Sequence, residues 1–388
     1  MGERWSVERA IDWQDRCGWL FGCNFTPATA GNQSEVWSAD SFDVETIERE
    51  LRWARDLGMN VVRVYLHDLL WGDDSAGLID RVDRFLEIAA RFDIRMMPVL
   101  FDGVWNPSPA LGKQPEPVPG VHNSMWVQSP GSTVLYDESL WDGLRPYVDG
   151  MLSRFGDDDR IVMWDLFNEP DQLDLDTIVA GTRDAKQVAA TGLVARVFDW
   201  ARSVNPSQPL TVGLWEYEDD VPVDHELNRL ILSRSDVVSF HCYAPEPALR
   251  TVIGSLAPHE RPLVCTEWLA RPEGSTIDLL EVFKAADVGA INWGLVDGRT
   301  QTRWPWRTWW ETVDEDEPWF HELLRVDGSP YDDDEISGRR DELDAAASCW
   351  LALPFGEILR WRSSGHAAWC RARAARRPQR FRALTMSQ

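Results

Sequence analysis

Short apolar runs bounded by turn-forming residues recur along the chain at 19–25, 60–66, 94–101, 161–167, 210–215, 237–243, 263–267 and 290–296. Each has the length and flanks of a core strand. Between them, apolar residues return at spacings of three and four over 44–57, 79–92, 140–155, 186–204 and 277–286, the period of a helix that buries one face. Strand alternating with helix predicts a parallel sheet. Eight such units in about 300 residues predict an α/β fold of the (β/α)8 (TIM) barrel type, with catalytic groups at the C-terminal ends of the strands. The barrel is expected as a single domain over residues 1–338, followed by a divergent extension at 339–388.

Two of the runs end on glutamates. Trp164-Asp165-Leu166-Phe167-Asn168-Glu169-Pro170-Asp171 closes an apolar run with an Asn-Glu pair and a chain-breaking proline, and Pro262-Leu263-Val264-Cys265-Thr266-Glu267-Trp268 closes another with a glutamate beside an indole. A lone glutamate at a strand end is ordinarily a solvated cap. Two of them at the ends of two core strands suit the cleavage of a glycosidic bond, which needs one carboxylic acid to protonate the departing oxygen and one carboxylate to attack the sugar carbon. A third run, Asn60-Val61-Val62-Arg63-Val64-Tyr65-Leu66, carries an arginine that would be costly inside a strand unless it met a polar site. Arg63 is therefore the candidate to keep one carboxylate ionised.

The stretch 102–136 is rich in proline and glycine and contains Trp105, His122 and Trp126, so it reads as a long loop after the third strand that shapes the pocket. Trp304-Pro305-Trp306 and Trp309-Trp310 form a second aromatic loop after the eighth strand. About half of the 22 tryptophans are assigned to core packing. The rest suit a stacking cleft, because the C–H faces of sugar rings lie well on indoles.

These motifs resemble the retaining β-glycosidases built on a (β/α)8 barrel, most closely glycoside hydrolase family 5, which includes cellulases and β-mannanases. The resemblance spans roughly residues 15 to 335. It implies that Glu169 is the acid/base and Glu267 the nucleophile, that Asn168 binds the sugar 2-hydroxyl, and that Arg63 steadies the nucleophile. His241 and Tyr243, in Ser239-Phe240-His241-Cys242-Tyr243, match the family's strand-six pair, with the tyrosine hydroxyl directed at the nucleophile. Trp293, in Ile291-Asn292-Trp293-Gly294, matches the aromatic floor under the cleaved sugar. The family's usual histidine associated with strand three is missing from Leu100-Phe101-Asp102-Gly103. Either His122 folds back or Asp102 has taken that position, and both stand as substrate-binding candidates. The resemblance implies retention of anomeric configuration through a covalent glycosyl-enzyme intermediate, with carboxyl groups about 5 to 5.5 Å apart.

A formal charge of −25 disfavours nucleic acid and anionic membranes as partners and leaves a neutral carbohydrate as the expected one. No metal or cofactor is expected, since no zinc-finger, His-Glu-x-x-His or phosphate-loop spacing occurs. The six cysteines lack regular spacing and read as free thiols, with Cys242 and Cys265 buried near the catalytic positions. The amino-terminal residues hold no apolar signal core, so a cytoplasmic location is expected. Residues 339–388 carry ten Lys or Arg against four Asp or Glu, a reversal of the acidic body. That extension reads as a disordered or loosely helical appendage, a basic arm for an anionic partner, or the product of a shifted reading frame. Two other functions share the pattern: a carbohydrate-binding barrel that has lost turnover, and a transglycosidase. The sugar and linkage, the choice between endo and exo action, and the oligomeric state are not set by these features.

Overall fold

A computed structural model describes residues 2–172 and 183–336. The expected basic extension at 339–388 lies outside the described residues. Residues Met1–Asp333 form one compact unit.

Its centre is a barrel of eight strands: β1 Phe21–Asn24, β2 Val61–Tyr65, β3 Arg95–Val99, β4 Trp164–Asp165, β5 Leu210–Thr211, β6 Val238–His241, β7 Leu263–Glu267 and β8 Gly289–Trp293. Hydrogen bonding runs in the order β5-β4-β3-β2-β1-β8-β7-β6, and every neighbouring pair is parallel. A parallel bridge between Leu214 and Phe240 joins the two ends of that order and nearly closes the (β/α)8 barrel. Helices on the outside cover the second face of each strand, which is why the runs are apolar throughout instead of alternating.

Most helices fall where the periodicity puts them. Val44–Asp56 starts at Asp43, whose side chain accepts from Thr46 N, and Arg183–Val204 and Leu279–Ala285 match their predicted stretches within a few residues. One prediction is too short. The helix expected at 79–92 starts a few residues earlier and ends at Ala90, and a kink at the non-helical Asp74 (φ −147°) separates it from a further helical segment that begins at Asp68.

The N-terminal helix Val7–Cys17, absent from the predicted elements, closes the bottom of the barrel. Trp5, Ala10 and Trp13 pack against Val61, Met97, Val162, Val264 and Ile291 from the strand beginnings. At the same end, Asp236 is fully buried and holds Arg202 through both oxygens at 2.7 and 2.8 Å, while also accepting from Trp5 N and Leu210 N. Cys242 and Cys265 are buried free thiols. Among the described residues no helix is long and apolar enough to cross a membrane.

Asp236 ties the N-terminal segment to the barrel far from the strand ends that carry the glutamates. Asp236→Ala should strand the buried Arg202 charge and cost about 3–5 kcal/mol in a urea titration, while leaving the turnover of the folded fraction unchanged.

Candidate active site

The site is built around Arg63, which projects from the middle of β2 and is completely buried. Its Nε and Nη2 donate to Asp165 Oδ2 at 3.1 and 2.7 Å, and Nη2 also reaches Asn168 Oδ1 at 2.7 Å. Its Nη1 donates to Asn24 Oδ1 at 2.7 Å, to the Tyr65 hydroxyl at 2.5 Å and to Glu267 Oε1 at 2.8 Å. The barrel register brings these groups together, since Asn24 of β1 lies beside both Arg63 of β2 and Trp293 of β8.

Glu267, the last residue of β7, is held from three directions. Besides Arg63, the Tyr65 hydroxyl donates to its Oε1 at 2.9 Å and the Tyr243 hydroxyl to its Oε2 at 2.8 Å. Burial pushes both phenols well above their ordinary pKa, so each acts as an O–H donor.

Glu169 has different surroundings. Its Oε1 lies 2.7 Å from His241 Nδ1, and its Oε2 accepts from Gln172 at 3.3 Å. Burial raises its pKa, the nearby Glu267 raises it further, and the hydrogen bond from His241 opposes both. Its backbone sits in the left-handed region at φ 39°, unusual for a side-chain-bearing residue and a form of strain that concentrates at functional sites. Gly103 packs directly against that turn: a Cβ there would stand 2.2 Å from the Glu169 carbonyl oxygen. One oxygen of Glu169, one of Glu267 and a His241 nitrogen all lie within 4.8 Å of one another.

Of the two candidates for the missing strand-three histidine, Asp102 is the one beside Asn168. Its Oδ1 accepts from Asn168 Nδ2 at 3.0 Å and Val104 N at 3.1 Å, and its Oδ2 from Trp126 Nε1 at 2.6 Å and Gln33 Nε2 at 3.0 Å. With both oxygens occupied by protein donors, Asp102 bears on a ligand through Asn168. Burial raises its pKa to about 7. His122 lies elsewhere, in an aromatic wall. Its Nδ1–H donates to the Trp304 carbonyl at 2.6 Å, and its ring is 5.5 Å from His321 and 6.5 Å from Trp306, whose indole meets Tyr243 edge-on at 5.0 Å. Burial lowers the His122 pKa to about 4, so it is neutral at pH 7. Trp293 is half-buried, 5.8 Å from Tyr65 and 5.9 Å from Trp126.

Sequence reasoning missed Asn24, Tyr65, Asp165 and Trp126. Tyr65 had a usable signal, because residues two apart on a strand share a face and Arg63 already pointed inward. Asp165, a charge inside an apolar run, carried the same warning as Arg63. Trp126 was read only as part of the pocket-shaping loop at 102–136, since its own place depends on the path of that loop.

Two groupings have the residue types for a metal ion among the described residues: Glu169, His241 and Glu267, and separately Asp171, Glu216 and His225. In the first, donors from Arg63, Tyr65 and Tyr243 already occupy Glu267. In the second, His225 Nδ1 accepts from Asn228 N at 3.3 Å, so its other ring nitrogen carries the proton and lacks a free lone pair.

Behind Trp293, Glu322 is fully buried, bonded to Thr302, and pushed by burial to about pKa 8. A folded-state pKa above the ordinary 4.5 means the native state binds the extra proton, so this group lowers stability as pH rises from about 4.5 to about 8. Glu322→Gln should remove that dependence. Melting curves at pH 5 and pH 8 should then lie closer together than in the parent, with the gain at pH 8.

A family model described as cellulase (glycosyl hydrolase family 5) matches residues 21–295. No curated protein is similar enough in sequence to match the chain. Among solved structures, the endo-1,4-β-mannanase of Rhizomucor miehei has a TM-score of 0.54 at 16% identity, over 84% of this chain and 95% of that one. The β-1,4-mannanase of the common sea hare Aplysia kurodai has a TM-score of 0.51 at 16% identity, over 71% of this chain and 87% of that one. The exo-β-1,4-mannosidase of Opitutaceae bacterium strain TAV5 has a TM-score of 0.55 at 17% identity, over 85% of this chain and 60% of that one. These likenesses are of fold, while the family match covers nearly the whole barrel from β1 through β8. The chain belongs to glycoside hydrolase family 5 and is an O-glycosyl hydrolase.

Proposed function

We propose that the chain hydrolyses β-glycosidic bonds of a neutral oligo- or polysaccharide with retention, through two displacements that use Glu267 as nucleophile and Glu169 as acid/base. The observation that carries this reading is the spacing: an oxygen of each glutamate lies within 4.8 Å of the other. That approach fits the carboxyl separation of about 5–5.5 Å in retaining enzymes better than the roughly 6.5–9.5 Å of inverting ones, and so supports direct attack on the sugar carbon.

The unequal surroundings of the two glutamates support the division of roles. Glu169, with its raised pKa, retains a proton to give the departing oxygen. Glu267, gripped by Arg63, Tyr65 and Tyr243, is aligned for attack on the anomeric carbon. In the first displacement the C1–O bond breaks, the leaving sugar takes the proton from Glu169, and Glu267 becomes esterified to C1. In the second, Glu169 accepts a proton from water, the hydroxide adds to C1, and the ester bond to Glu267 breaks. Asn168, fixed by Arg63 and Asp102, has a second Nδ2 hydrogen with which to bind the 2-hydroxyl. Trp293 offers its face to the apolar side of the sugar.

For the substrate, mannan, glucan and xylan types all fit a neutral, aromatic-lined site. The β-1,4-mannan activity in the names of the Rhizomucor, sea hare and Opitutaceae proteins favours β-mannosides first.

A panel of aryl β-glucoside, mannoside, xyloside, galactoside and cellobioside tests the reading, with NMR of the first product. The β-anomer should appear first from one substrate. Glu169→Gln should slow turnover by roughly 10²–10⁴-fold, and Glu267→Ala should abolish it, both with unchanged folding. An α-anomer formed first, or near-normal rates in both variants, would overturn the assignment.

Tyr65→Phe isolates the second phenol on the nucleophile. It removes the bond donated to Glu267 and the one accepted from Arg63, and loss of the first should cost roughly 1.5–3 kcal/mol of transition-state stabilisation, about 10- to 100-fold in kcat/KM. The fall should be in kcat, with a lower melting temperature as well, because the buried Arg63 loses an acceptor.

A further inference from the structure

The loops after β1, β3 and β8 are tied to one another at the mouth of the barrel. Asn32 Nδ2, after β1, donates to Gln114 Oε1 in the β3 loop at 2.9 Å, and Arg299 N, after β8, donates to the Ala28 carbonyl of the β1 loop at 3.0 Å. The β3 and β8 loops are joined directly, Asn123 N to the Thr300 carbonyl at 2.8 Å and His122 N to Thr308 Oγ1 at 2.9 Å. Each of the three loops is therefore bonded to the other two.

Barrel order says which side this closes. β1 and β2 lie between β8 and β3, so the knot stands over β1 and β2, opposite β5 and β6. Glu169 follows β4 and is backed by His241 at the end of β6. As proton donor it faces the departing oxygen, so the leaving part of the substrate extends toward β4–β6. The sugar that becomes attached to Glu267 lies over Arg63, Tyr65 and Trp293, on the side of the knot.

The floor under that sugar is closed. The cavity behind Tyr65 and Trp293, lined also by Asn24, Thr26, Thr302 and Glu322, holds about 10 Å³, roughly the room for one water molecule, so no sugar ring passes beneath the floor. Tyr65, Trp126 and Trp293 meet edge-on with centroids 5.1–5.9 Å apart and fill the corner between the floor and the β3 loop.

We infer that the enzyme is exo-acting. It removes one sugar at a time from the non-reducing end of a β-linked oligosaccharide, and the knot of three loops is the end wall of a subsite for a single terminal sugar. This rests on the hydrolase reading above and adds which bond of a chain is cut.

The test uses the full chain and, for each of mannose, glucose and xylose, two β-1,4-linked tetrasaccharides. Both are reduced to the alditol at one end, and one carries a 4-O-methyl cap on its non-reducing terminal sugar. The uncapped substrate should release monosaccharide and the trisaccharide alditol first, with no early disaccharide. The capped one should react roughly 10- to 200-fold more slowly, the range for one extra carbon against a fitted pocket. Early disaccharide, or equal rates on the two substrates, would overturn exo action while leaving hydrolysis intact. Inert aryl glycosides together with inert tetrasaccharides would overturn both.

Discussion

Everything at the mouth of this barrel depends on the burial of the Arg63 guanidinium. A cation removed from water is tolerated only when nearly every N–H finds an acceptor. Here the acceptors come from four strands: Asn24 from β1, Tyr65 from β2 itself, Asp165 and Asn168 from β4 and the turn after it, and Glu267 from β7. Only a closed sheet lets residues so distant in sequence converge on one planar fork. The same fork aligns Glu267 and orients Asn168, so a single buried charge couples strand register to catalytic geometry.

The remaining chemistry comes from making two identical side chains unequal. Glu267 faces a cation and two phenols, while Glu169 sits in a strained turn against His241 and is pushed toward its protonated form. Asp102 contributes from behind. It ends β3's run where the family usually associates a histidine, and four donors hold it so that Asn168 stays in place. In the proposed reading the three joined loops bound the glycone side, so the scaffold that positions Glu169 and Glu267 would also restrict what can reach them.

The barrel was legible in the sequence because fully buried strands read as unbroken apolar runs, and all eight lie where those runs stand. Glu169, Glu267 and Arg63 stood out for a related reason, since polar residues at the ends of, or within, apolar runs call for a polar partner, whereas Asn168, His241, Tyr243 and Trp293 came from the family resemblance. Tyr65 was passed over despite sharing a strand face with Arg63, because tyrosine is at home in a strand and the carboxylate it donates to lies 202 positions away. The Val7–Cys17 helix was hidden because only Ala10 and Trp13 of it are buried, too few to set a period. His122 and Asp102 could not be separated from sequence, since the path of a long loop is set by its contacts with two other loops and not by local pattern.

The central claim is that Glu267 attacks the sugar. A 2-deoxy-2-fluoro β-glycoside with a good leaving group forms the covalent intermediate and slows its hydrolysis, so intact-protein and peptide mass spectrometry would read the attachment site directly. The account predicts one fluoroglycosyl group per chain, carried by the peptide that contains Glu267 and absent from Glu267→Ala. A label on another residue, or turnover of that substrate with no label at any time, would contradict it.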